Sequence, residues 1–309
     1  MISIIIPCFN EEQVIRETEK RLSNVMQSLE KDFELIFVND GSKDSTKDIL
    51  EEIALNKNYI KIINFSRNFG HQCAVSAGIH YCKGDYAVII DADLQDPPEV
   101  IPGMLALCEL EKCNVVYAQR STRKETSIFK KISAKWYYRI INWLSDITFP
   151  VDTGDFRLID RKVINEYNKL NEKNKYIRGL IVWMGFKQLP FLYDRKERFA
   201  GETKYTLSKM IRLAFAGIFG FSRKPLKLAL NLGLFCIVLS ILLVSWIMYT
   251  YFFFPNRIIP GWTSTLITIV FLGGIQLLSI GVLGEYIGNI FDETKNRPEY
   301  IIESKININ

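Results

Sequence analysis

Residues 86–96 read YAVIIDADLQD, and this stretch decides the fold. The apolar run Tyr86–Ile90 ends on two carboxylates, Asp91 and Asp93, which are followed by the amide of Gln95. A short apolar run without polar alternation is typical of a strand that is buried on both faces of a parallel sheet. Carboxylates two positions apart after such a strand point to the same side. The stretch therefore predicts a buried strand with acidic side chains at its carboxyl end.

The same pattern occurs three times upstream, and each apolar run is followed by a segment of helical periodicity. The predicted strands are Ile2–Pro7, Phe33–Asn39, Ile60–Phe65 and Tyr86–Ile90, and the predicted helices are Glu11–Leu29, Ser45–Leu55 and Cys73–Tyr81. Alternating strands and helices predict an α/β fold with a doubly wound, mostly parallel sheet.

Polar residues follow each predicted strand. They are Asn10, Glu11 and Glu12; Asn39, Asp40, Gly41 and Ser42; Ser66, Arg67, Asn68 and Gly70; and Asp91, Asp93, Gln95 and Asp96. Each cluster alone fits a turn or a helix cap. Ligands of such sheets bind beyond the carboxyl ends of the strands, so four clusters at one edge predict a binding site.

The class of ligand can be narrowed from the motifs. The sequence contains neither G-x-G nor G-x-x-x-x-G-K-[ST], which excludes the dinucleotide and P-loop fingerprints. Asp91, Asp93 and Gln95 offer hard oxygen ligands for Mg²⁺ or Mn²⁺, which proteins usually bind through one or two carboxylates plus substrate phosphates. A D-x-D motif by itself also occurs in ordinary turns. The position of this motif at the end of a predicted strand is what favours a metal-binding role.

The last third of the chain has a different composition. Between Lys227 and Glu285 the only charged residue is Arg257. Leu228–Phe254 and Ile258–Gly284 are each long enough to cross a hydrocarbon core of about 30 Å. Both are apolar all round, which argues against buried helices of a soluble core. The flanking basic residues are Arg223, Lys224 and Lys227 before the first run and Lys295 and Arg297 after the second, so both ends are predicted to be cytoplasmic.

Two further segments are basic and amphipathic, at 127–147 and 206–227. Helices of this kind, rich in aromatic residues, lie on anionic lipid surfaces, although the first segment fits an ordinary helix on the domain core equally well. Gly284 and Gly288 form a G-x-x-x-G pair, which permits close helix packing and predicts a homo-oligomer.

Overall composition excludes several classes of protein. The 309 residues carry a formal net charge of only +5, which does not predict a nucleic-acid partner. Six cysteines without a C-x-x-C pair predict reduced, buried thiols. The N-terminal MISIIIPCFN lacks the pattern of a signal peptide and is predicted to be a strand.

Taken together, the motifs resemble those of the family-2 glycosyltransferases with the GT-A fold. The stretches that carry this resemblance are PCFNEE at 7–12, VNDGSKDST at 38–46, FSRNFGHQCAVSAG at 65–78 and IDADLQDPPE at 90–99. Three more are similar to polyisoprenyl-phosphate glycosyltransferases, namely VDTGDFRLIDRKV at 151–163, DRKERFAGETKYTLSKM at 194–210 and the segment 271–300. The resemblance covers nearly the whole chain and is greatest to bacterial bactoprenol (undecaprenyl-phosphate) glucosyltransferases; dolichol-phosphate mannose synthases are more distant.

The resemblance implies a nucleotide-sugar donor, Mg²⁺ or Mn²⁺, and undecaprenyl phosphate as the acceptor. The implied reaction is inverting transfer of one sugar, with UDP-glucose as the expected donor and an O-antigen or another cell-envelope glycan as the destination. UDP-galactose, UDP-N-acetylhexosamines, a UDP-4-amino-arabinose derivative and GDP-mannose remain alternatives. His71 and Thr203 depart from the commonest family pattern, which has Lys and Ser there, and this bears on the identity of the donor.

The resemblance also implies the site residues. Those expected to bind the donor are Pro7, Phe9, Asn10, Glu11, Asp40, Ser42, Asp91, Ala92 and Asp93. Those expected to hold the diphosphate or the acceptor phosphate are Arg120, Arg123, Arg157, Arg195, Arg198 and Lys204. Asp91, Asp93 and Gln95 are the expected metal ligands. Asp93 and Asp155 are the expected catalytic residues, Asp155 acting either as a base or as an electrostatic orienter. Neither His71 nor His80 is expected to bind a metal.

These interpretations predict the organisation of the chain. We expect a cytoplasmic glycosyltransferase domain at 1–205, an amphipathic helix at 206–227, two transmembrane helices within 228–290 and a cytoplasmic tail at 291–309. The protein is then a multi-pass protein of the bacterial inner membrane, and the family suggests a tetramer. Processive polysaccharide synthases of the same fold carry a Q-x-x-R-W motif. The chain contains no R-W dipeptide, so this class is disfavoured. A membrane scaffold or flippase subunit would leave the D-x-D unexplained.

Overall fold

The computed structural model describes residues 1–55, 57–121, 153–173, 175–194, 222–253 and 261–308. The strands are β1 Ile2–Cys8, β2 Phe33–Asn39, β3 Ile60–Phe65, β4 Tyr86–Ile89, β5 Val115–Arg120, β6 Thr153–Asp160, β7 Gln188–Tyr193 and β8 Ile302–Ile306. The helices are α1 Ile15–Gln27, α2 Thr46–Ala54, α3 His71–Tyr81, α4 Ile101–Glu111, α5 Arg161–Lys169, α6 Ile177–Trp183, α7 Lys224–Phe253 and α8 Trp262–Thr294. The predicted helix at 127–147, and residues 206–221 of the second amphipathic segment, lie outside this description.

The described strands form one mixed sheet in the order β7-β5-β6-β4-β1-β2-β3-β8. Its centre is parallel, because β1 pairs in parallel with both β2 and β4, and β2 pairs in parallel with β3. Strand β6 runs antiparallel to β4 and β5, while β7 runs parallel to β5. The predicted fold class, a doubly wound and mostly parallel α/β sheet followed by two apolar helices, is confirmed.

Both faces of the central strands are buried, as their uninterrupted apolar sequences predict. In β1, Ile4 and Ile6 belong to the core formed with α1, α2 and α4, whereas Ile5 belongs to the core on the face of α3, α5 and α6. Each fully buried isoleucine contributes about 1.5–3 kcal/mol. A Cβ atom at Gly78 would lie 2.2 Å from Ile5 Cγ2, so α3 packs too close to β1 for any larger residue. This close packing fixes the position of α3, whose first residue, His71, belongs to the site described below.

Helices α7 and α8 pack against each other and expose most of their large apolar side chains. The stretches 224–246 and 268–294 are long and apolar enough to cross a membrane, and almost none of their residues are buried. A continuous apolar surface of this size is rare on water-soluble proteins. The two helices therefore suit a lipid environment.

The tail after α8 forms the last strand of the sheet, which the sequence had not predicted. Strand β8 pairs antiparallel with β3, and the Asn64 Nδ2 amide donates to Ser304 Oγ at 3.0 Å. The ring of Tyr300 stacks on Phe65 with a centroid separation of 4.8 Å. The chain thus passes through both apolar helices and returns to the sheet, so the start of α7 and the end of α8 lie on the same side as the sheet domain.

Candidate active site

The predicted polar clusters meet at one edge of the sheet, and the antiparallel strand β6 adds a residue to them. Arg157 of β6 pairs with Ile89 of β4. Continuing this register by two residues in opposite chain directions brings Asp155 opposite Asp91. His71, the first residue of α3, lies between them: its Nε2 is 3.1 Å from Asp155 Oδ2 and 3.8 Å from Asp91 Oδ1. The edge therefore brings one imidazole against two carboxylates from separate strands.

Asp155 is almost buried, and a second cation holds it. Arg178 of α6 donates from Nε to Asp155 Oδ1 at 2.7 Å and from Nη1 to the carbonyl of Thr153 at 3.2 Å. Burial alone would raise the pKa of Asp155, but Arg178 and His71 hold the pKa of this carboxyl well below its usual range. Conversely, burial would lower the pKa of His71, but the hydrogen bond to Asp155 and the charge of Asp91 raise it to about 9. Asp155 is thus an ionised carboxylate between two cationic groups.

The D-x-D segment is shaped by the helix behind it. Thr18 Oγ1 of α1 donates to the carbonyl of Ala92 at 2.7 Å. The backbone N–H of Gln95 donates to Asp93 Oδ1 at 3.1 Å, and Leu94 has a left-handed φ of 57°. Ala92 and Asp93 are buried, whereas Asp91 and Gln95 are half-buried. The loop thus brings the carboxylates of Asp91 and Asp93 near each other at the strand end, and Gln95 follows two residues later.

The donor set of this loop fits a divalent cation that also binds substrate. Burial and the neighbouring carboxylates of Asp155, Asp96 and Asp93 raise the pKa of Asp91 to about 6 against the opposing charge of His71. Among the described residues no group of three or more His, Cys, Asp or Glu side chains is arranged to hold a metal by itself. Mg²⁺ and Mn²⁺ sites that use one or two carboxylates are completed by substrate phosphates. Asp91, Asp93 and Gln95 suit such a site.

The loops after β1 and β2 interlock. The backbone N–H of Asn10 donates to Ser42 Oγ at 3.0 Å, and Asn10 Oδ1 accepts from the N–H of Lys43 at 2.8 Å. The N–H of Glu11 donates to Thr46 Oγ1 at 2.8 Å. Pro7 is buried near the end of β1, and Phe9 is half-buried after it. The structure therefore groups the predicted donor-binding residues of these two loops, and their contacts with a donor stay predictions.

Asp40 is the member of this group with a clear structural task. Its carboxylate is buried and accepts the backbone N–H groups of Phe69 at 2.7 Å and Gly70 at 3.0 Å. Burial raises the pKa of Asp40 despite these hydrogen bonds. Gly41, with a φ of 64°, lies so close to the backbone of Arg67 that a Cβ would lie 2.3 Å from the Arg67 carbonyl carbon. Asp40 thus fixes the loop that leads into His71, and its part in donor binding stays a prediction.

Two of the predicted phosphate-binding arginines lie at the same edge. Arg157 is buried, donates from Nη2 to the carbonyl of Gly154 at 3.1 Å, and has no hydrogen-bond partner for its Nε. Burial lowers the pKa of Arg157 to about 10. Arg120 ends β5 opposite Tyr193 of β7, and its buried Nε also has no partner. Arg123, Arg195, Arg198 and Lys204 lie outside the described residues.

Sequence reasoning missed the roles of three residues of the site. His71 was noted only as a departure from the family pattern and as a histidine not expected to bind a metal, because nothing local in the sequence indicates that Asp155 approaches it. Arg178 was not considered at all, although it is the only charge in the helix IRGLIVW. A lone cation in an otherwise apolar helix was the available signal, since such a charge needs a partner when it is buried. A third, Tyr193, donates its hydroxyl to the buried Asp96 at 2.5 Å behind the D-x-D.

The mixed sheet, with Asp91 at the carboxyl end of β4 and Asp155 near the start of β6, has the architecture of a glycosyltransferase fold. The model of glycosyl transferase family 2 matches residues 3–167, and the model of the GtrB C-terminal hairpin matches residues 224–290. The chain belongs to glycosyl transferase family 2, and it is an enzyme of that class.

Similar proteins agree in length as well as in sequence. An uncharacterized glycosyltransferase of Bacillus subtilis, YkcC, is 49% identical over 99% of this chain and 94% of its own length. A prophage-derived bactoprenol glucosyl transferase of Shigella flexneri is 39% identical over 98% of this chain and 97% of its own. Among solved structures, a Mycobacterium tuberculosis glucosyl-3-phosphoglycerate synthase with Mn²⁺, UDP and phosphoglyceric acid has a TM-score of 0.51 at 16% identity, covering 71% of this chain and 76% of that one. This last likeness concerns the fold alone.

Proposed function

We propose that the protein transfers one hexose from a nucleotide-sugar donor to a polyprenyl phosphate at the membrane surface. The observation that carries the proposal is the convergence of Asp91 and Asp155 on His71, at the edge of a sheet whose chain continues into two exposed apolar helices. The Shigella flexneri relative, named a bactoprenol glucosyl transferase and matched over 97% of its own length, supports a lipid-phosphate acceptor.

The chemistry of the acceptor determines what the enzyme must do. A phosphate monoester has a second pKa of about 6 and is largely a dianion at neutral pH. One of its oxygens attacks the anomeric carbon directly, the bond from that carbon to the donor diphosphate breaks, and the electron pair leaves with the nucleoside diphosphate. Attack opposite the leaving group inverts the anomeric configuration. The enzyme therefore has to hold two anions together rather than remove a proton.

The residues at the sheet edge fit this requirement. Arg120 and Arg157 place positive charge beside the carboxyl ends of β4 and β5, where the diphosphate and the acceptor phosphate would meet. Asp155 is available as a fixed negative charge near the anomeric carbon, on which positive charge develops as the leaving group departs. Arg123, Arg195, Arg198 and Lys204 are proposed as further phosphate ligands from their positions in the sequence.

A divalent cation would be held by Asp91, Asp93 and Gln95, together with the donor diphosphate. When bound, it would neutralise the charge that accumulates on the leaving diphosphate. The crowding of Asp91, Asp93 and Asp155 around this position supports such a cation. Both Mg²⁺ and Mn²⁺ suit an oxygen donor set of this kind.

The finer expectations belong to the same proposal. UDP-glucose is the proposed donor, undecaprenyl phosphate the acceptor, and an O-antigen or another cell-envelope glycan the destination. Residues 1–205 would form the cytoplasmic catalytic domain, 206–227 an interfacial helix, 228–290 the membrane hairpin and 291–309 the returning tail. The pairing of β8 with β3 supports this topology in the bacterial inner membrane. A tetramer stays a prediction.

A donor screen tests the function. Purified protein in lipid is incubated with undecaprenyl phosphate, Mg²⁺ or Mn²⁺, and a panel of UDP- and GDP-sugars. Release of nucleoside diphosphate and formation of a lipid-linked sugar are followed together. We expect turnover with one UDP-hexose, and the anomeric configuration of its product tests inversion. Absence of a lipid-linked sugar with every donor, from folded protein, would contradict the proposal.

A further inference from the structure

Arg178 is the residue that the proposed reaction leaves without a task. Its side chain is 22% exposed, and its guanidinium bonds to the strand β6 at two points, Asp155 Oδ1 and the carbonyl of Thr153. Bonds to both a side chain and a backbone carbonyl fix the orientation of a guanidinium better than one contact does. Arg178 is therefore fixed relative to the first residues of β6.

The second oxygen of Asp155 has a different donor. His71 Nε2 lies 3.1 Å from Asp155 Oδ2, on the opposite side from Arg178. The two oxygens thus have one nitrogen partner each, from α6 and from α3. A carboxylate held at both oxygens cannot rotate about its Cβ–Cγ bond without breaking one of these contacts. One lone pair of each oxygen is thereby directed at a cationic nitrogen group.

The two nitrogen donors are themselves tied together. The backbone N–H of Ile177, the first residue of α6, donates to Gln72 Oε1 at 3.0 Å. Gln72 follows His71 in α3, and Ile177 precedes Arg178 in α6, so one hydrogen bond joins the two segments that hold Asp155. Lys175, two residues before Ile177, forms an ion pair with Glu299 of the C-terminal tail at 2.9 Å. Contacts with α3 and with the C-terminal tail therefore hold the segment that carries Arg178.

We infer that Arg178 is a positioning residue of the transfer reaction, which acts through Asp155. Together with His71 it holds Asp155 as a fixed anion beside the anomeric carbon, and this geometry favours the electrostatic role of Asp155 over the role of a base. The inference rests on the proposed function. It goes beyond it by assigning a task to α6, which lies outside the sequence motifs described above.

The experiment is a double-mutant cycle on the transfer reaction. The variants are Arg178→Gln, Asp155→Asn and the two combined, assayed in lipid with the donor that wild-type protein uses. We expect Arg178→Gln to lower kcat by about 10- to 100-fold, as loss of a supporting contact commonly does, and to leave the KM for the donor near the wild-type value. Because Arg178 acts through Asp155, the double variant should be as slow as Asp155→Asn alone.

Two further variants separate positioning from folding. Arg178→Lys keeps the charge but loses the two-pronged geometry, so we expect an intermediate kcat. Arg161→Gln is the matched control, because Arg161 donates to the carbonyls of Cys82 and Gly84 just before β4, at the opposite end of that strand. We expect it to leave kcat unchanged. If Arg178→Gln does not fold, the cycle is carried out with Arg178→Lys. The double variant should then again be as slow as Asp155→Asn alone.

The outcomes distinguish this inference from the proposed function. Wild-type protein that forms no lipid-linked sugar overturns both. Wild-type turnover combined with losses that multiply in the double variant overturns the inference alone, since Arg178 would then act independently of Asp155. Unchanged kcat in Arg178→Gln has the same meaning.

Discussion

Lys175 and Glu299 form an ion pair of 2.9 Å between the segment before α6 and the tail that follows the membrane helices. Their side chains are only 10% and 15% exposed, and Glu299 also accepts a hydrogen bond from Ser76 Oγ of α3 at 3.1 Å. Both apolar helices separate the two residues along the chain. The tail therefore contacts α3, which carries His71, and the segment that leads into α6, which carries Arg178.

Removal of the Glu299 charge should destabilise the sheet domain. Glu299→Gln leaves Lys175 without its partner in a poorly hydrated position, and we expect a loss of about 2 kcal/mol in unfolding free energy, below the roughly 3–5 kcal/mol of a fully buried pair. Thermal unfolding in detergent measures it. Glu303→Gln is the matched control, because its pair with Lys47 is exposed and should be worth less than about 1 kcal/mol. Equal losses of unfolding free energy in both variants would show that the pair of Glu299 with Lys175 stabilises the protein no more than an exposed ion pair does.

Loss of Asp93 should abolish turnover without unfolding the protein. Asp93→Ala removes a proposed metal ligand, and since a divalent cation supplies several kcal/mol to the stabilisation of the leaving diphosphate, we expect a loss of about 10³-fold in kcat. A chelator should stop the wild-type reaction, and added Mg²⁺ or Mn²⁺ should restore it. Asp85→Asn is the control, because Asp85 is exposed and pairs with the N-terminal amine at the other end of β4. Full activity of Asp93→Ala would contradict the proposed role of Asp93 as a metal ligand.

Stability should depend on pH through Glu34. Burial alone would raise the pKa of this carboxyl, but hydrogen bonds from Lys61, the backbone of Lys83 and Ser3 outweigh it and leave the pKa below its ordinary value. A lowered folded-state pKa means that the carboxylate stabilises the protein above its unfolded-state pKa, and that this contribution is lost as the pH falls through the folded-state pKa.

Glu34→Gln measures this contribution. We expect the variant to be about 1.5–3 kcal/mol less stable than wild type at pH 7, the range for hydrogen bonds to a charged group. The difference should shrink as the pH falls below the ordinary glutamate pKa of about 4.3. Thermal unfolding as a function of pH measures it. In contrast, Glu109→Gln breaks an exposed pair with Lys31 and should change little at any pH. A difference that is constant with pH would contradict the role of the Glu34 charge.

The return of the chain to the sheet predicts the membrane topology. Because β8 pairs with β3, a fluorescent protein fused after residue 309 should fold and fluoresce in the cytoplasm. A phosphatase that is active only in the periplasm should be active when inserted at residues 254–260, between α7 and α8. The reverse pattern, with phosphatase activity at the C-terminal fusion, would contradict the proposed orientation.

The central strands and the two apolar helices could be predicted because each depends on residues that are close in sequence. An apolar run such as Ile2–Pro7 indicates burial on both faces wherever it is placed, and a long uncharged segment indicates a membrane helix. The end of β4 was predicted to carry the acidic residues for the same reason, since Asp91 and Asp93 directly follow the run.

The arrangement of Asp155, His71 and Arg178 was not predictable in this way. Arg178 and Asp155 are 23 positions apart, and His71 and Asp155 are 84 apart. Their contacts depend on the antiparallel register of β6 on β4 and on the close packing of α3 at Gly78. The same holds for β8, whose pattern IESKI contains too few apolar residues to indicate a strand until β3 offers it an unpaired edge.

The sequence by itself determined the class of sheet, the hairpin of apolar helices and the residue types available at the carboxyl ends of the strands. Only the tertiary structure decided which of those residues meet. The physical reason is that burial is read locally from composition, whereas a charge-assisted contact requires two atoms within about 3 Å, a distance set by strand register and helix packing across the whole domain.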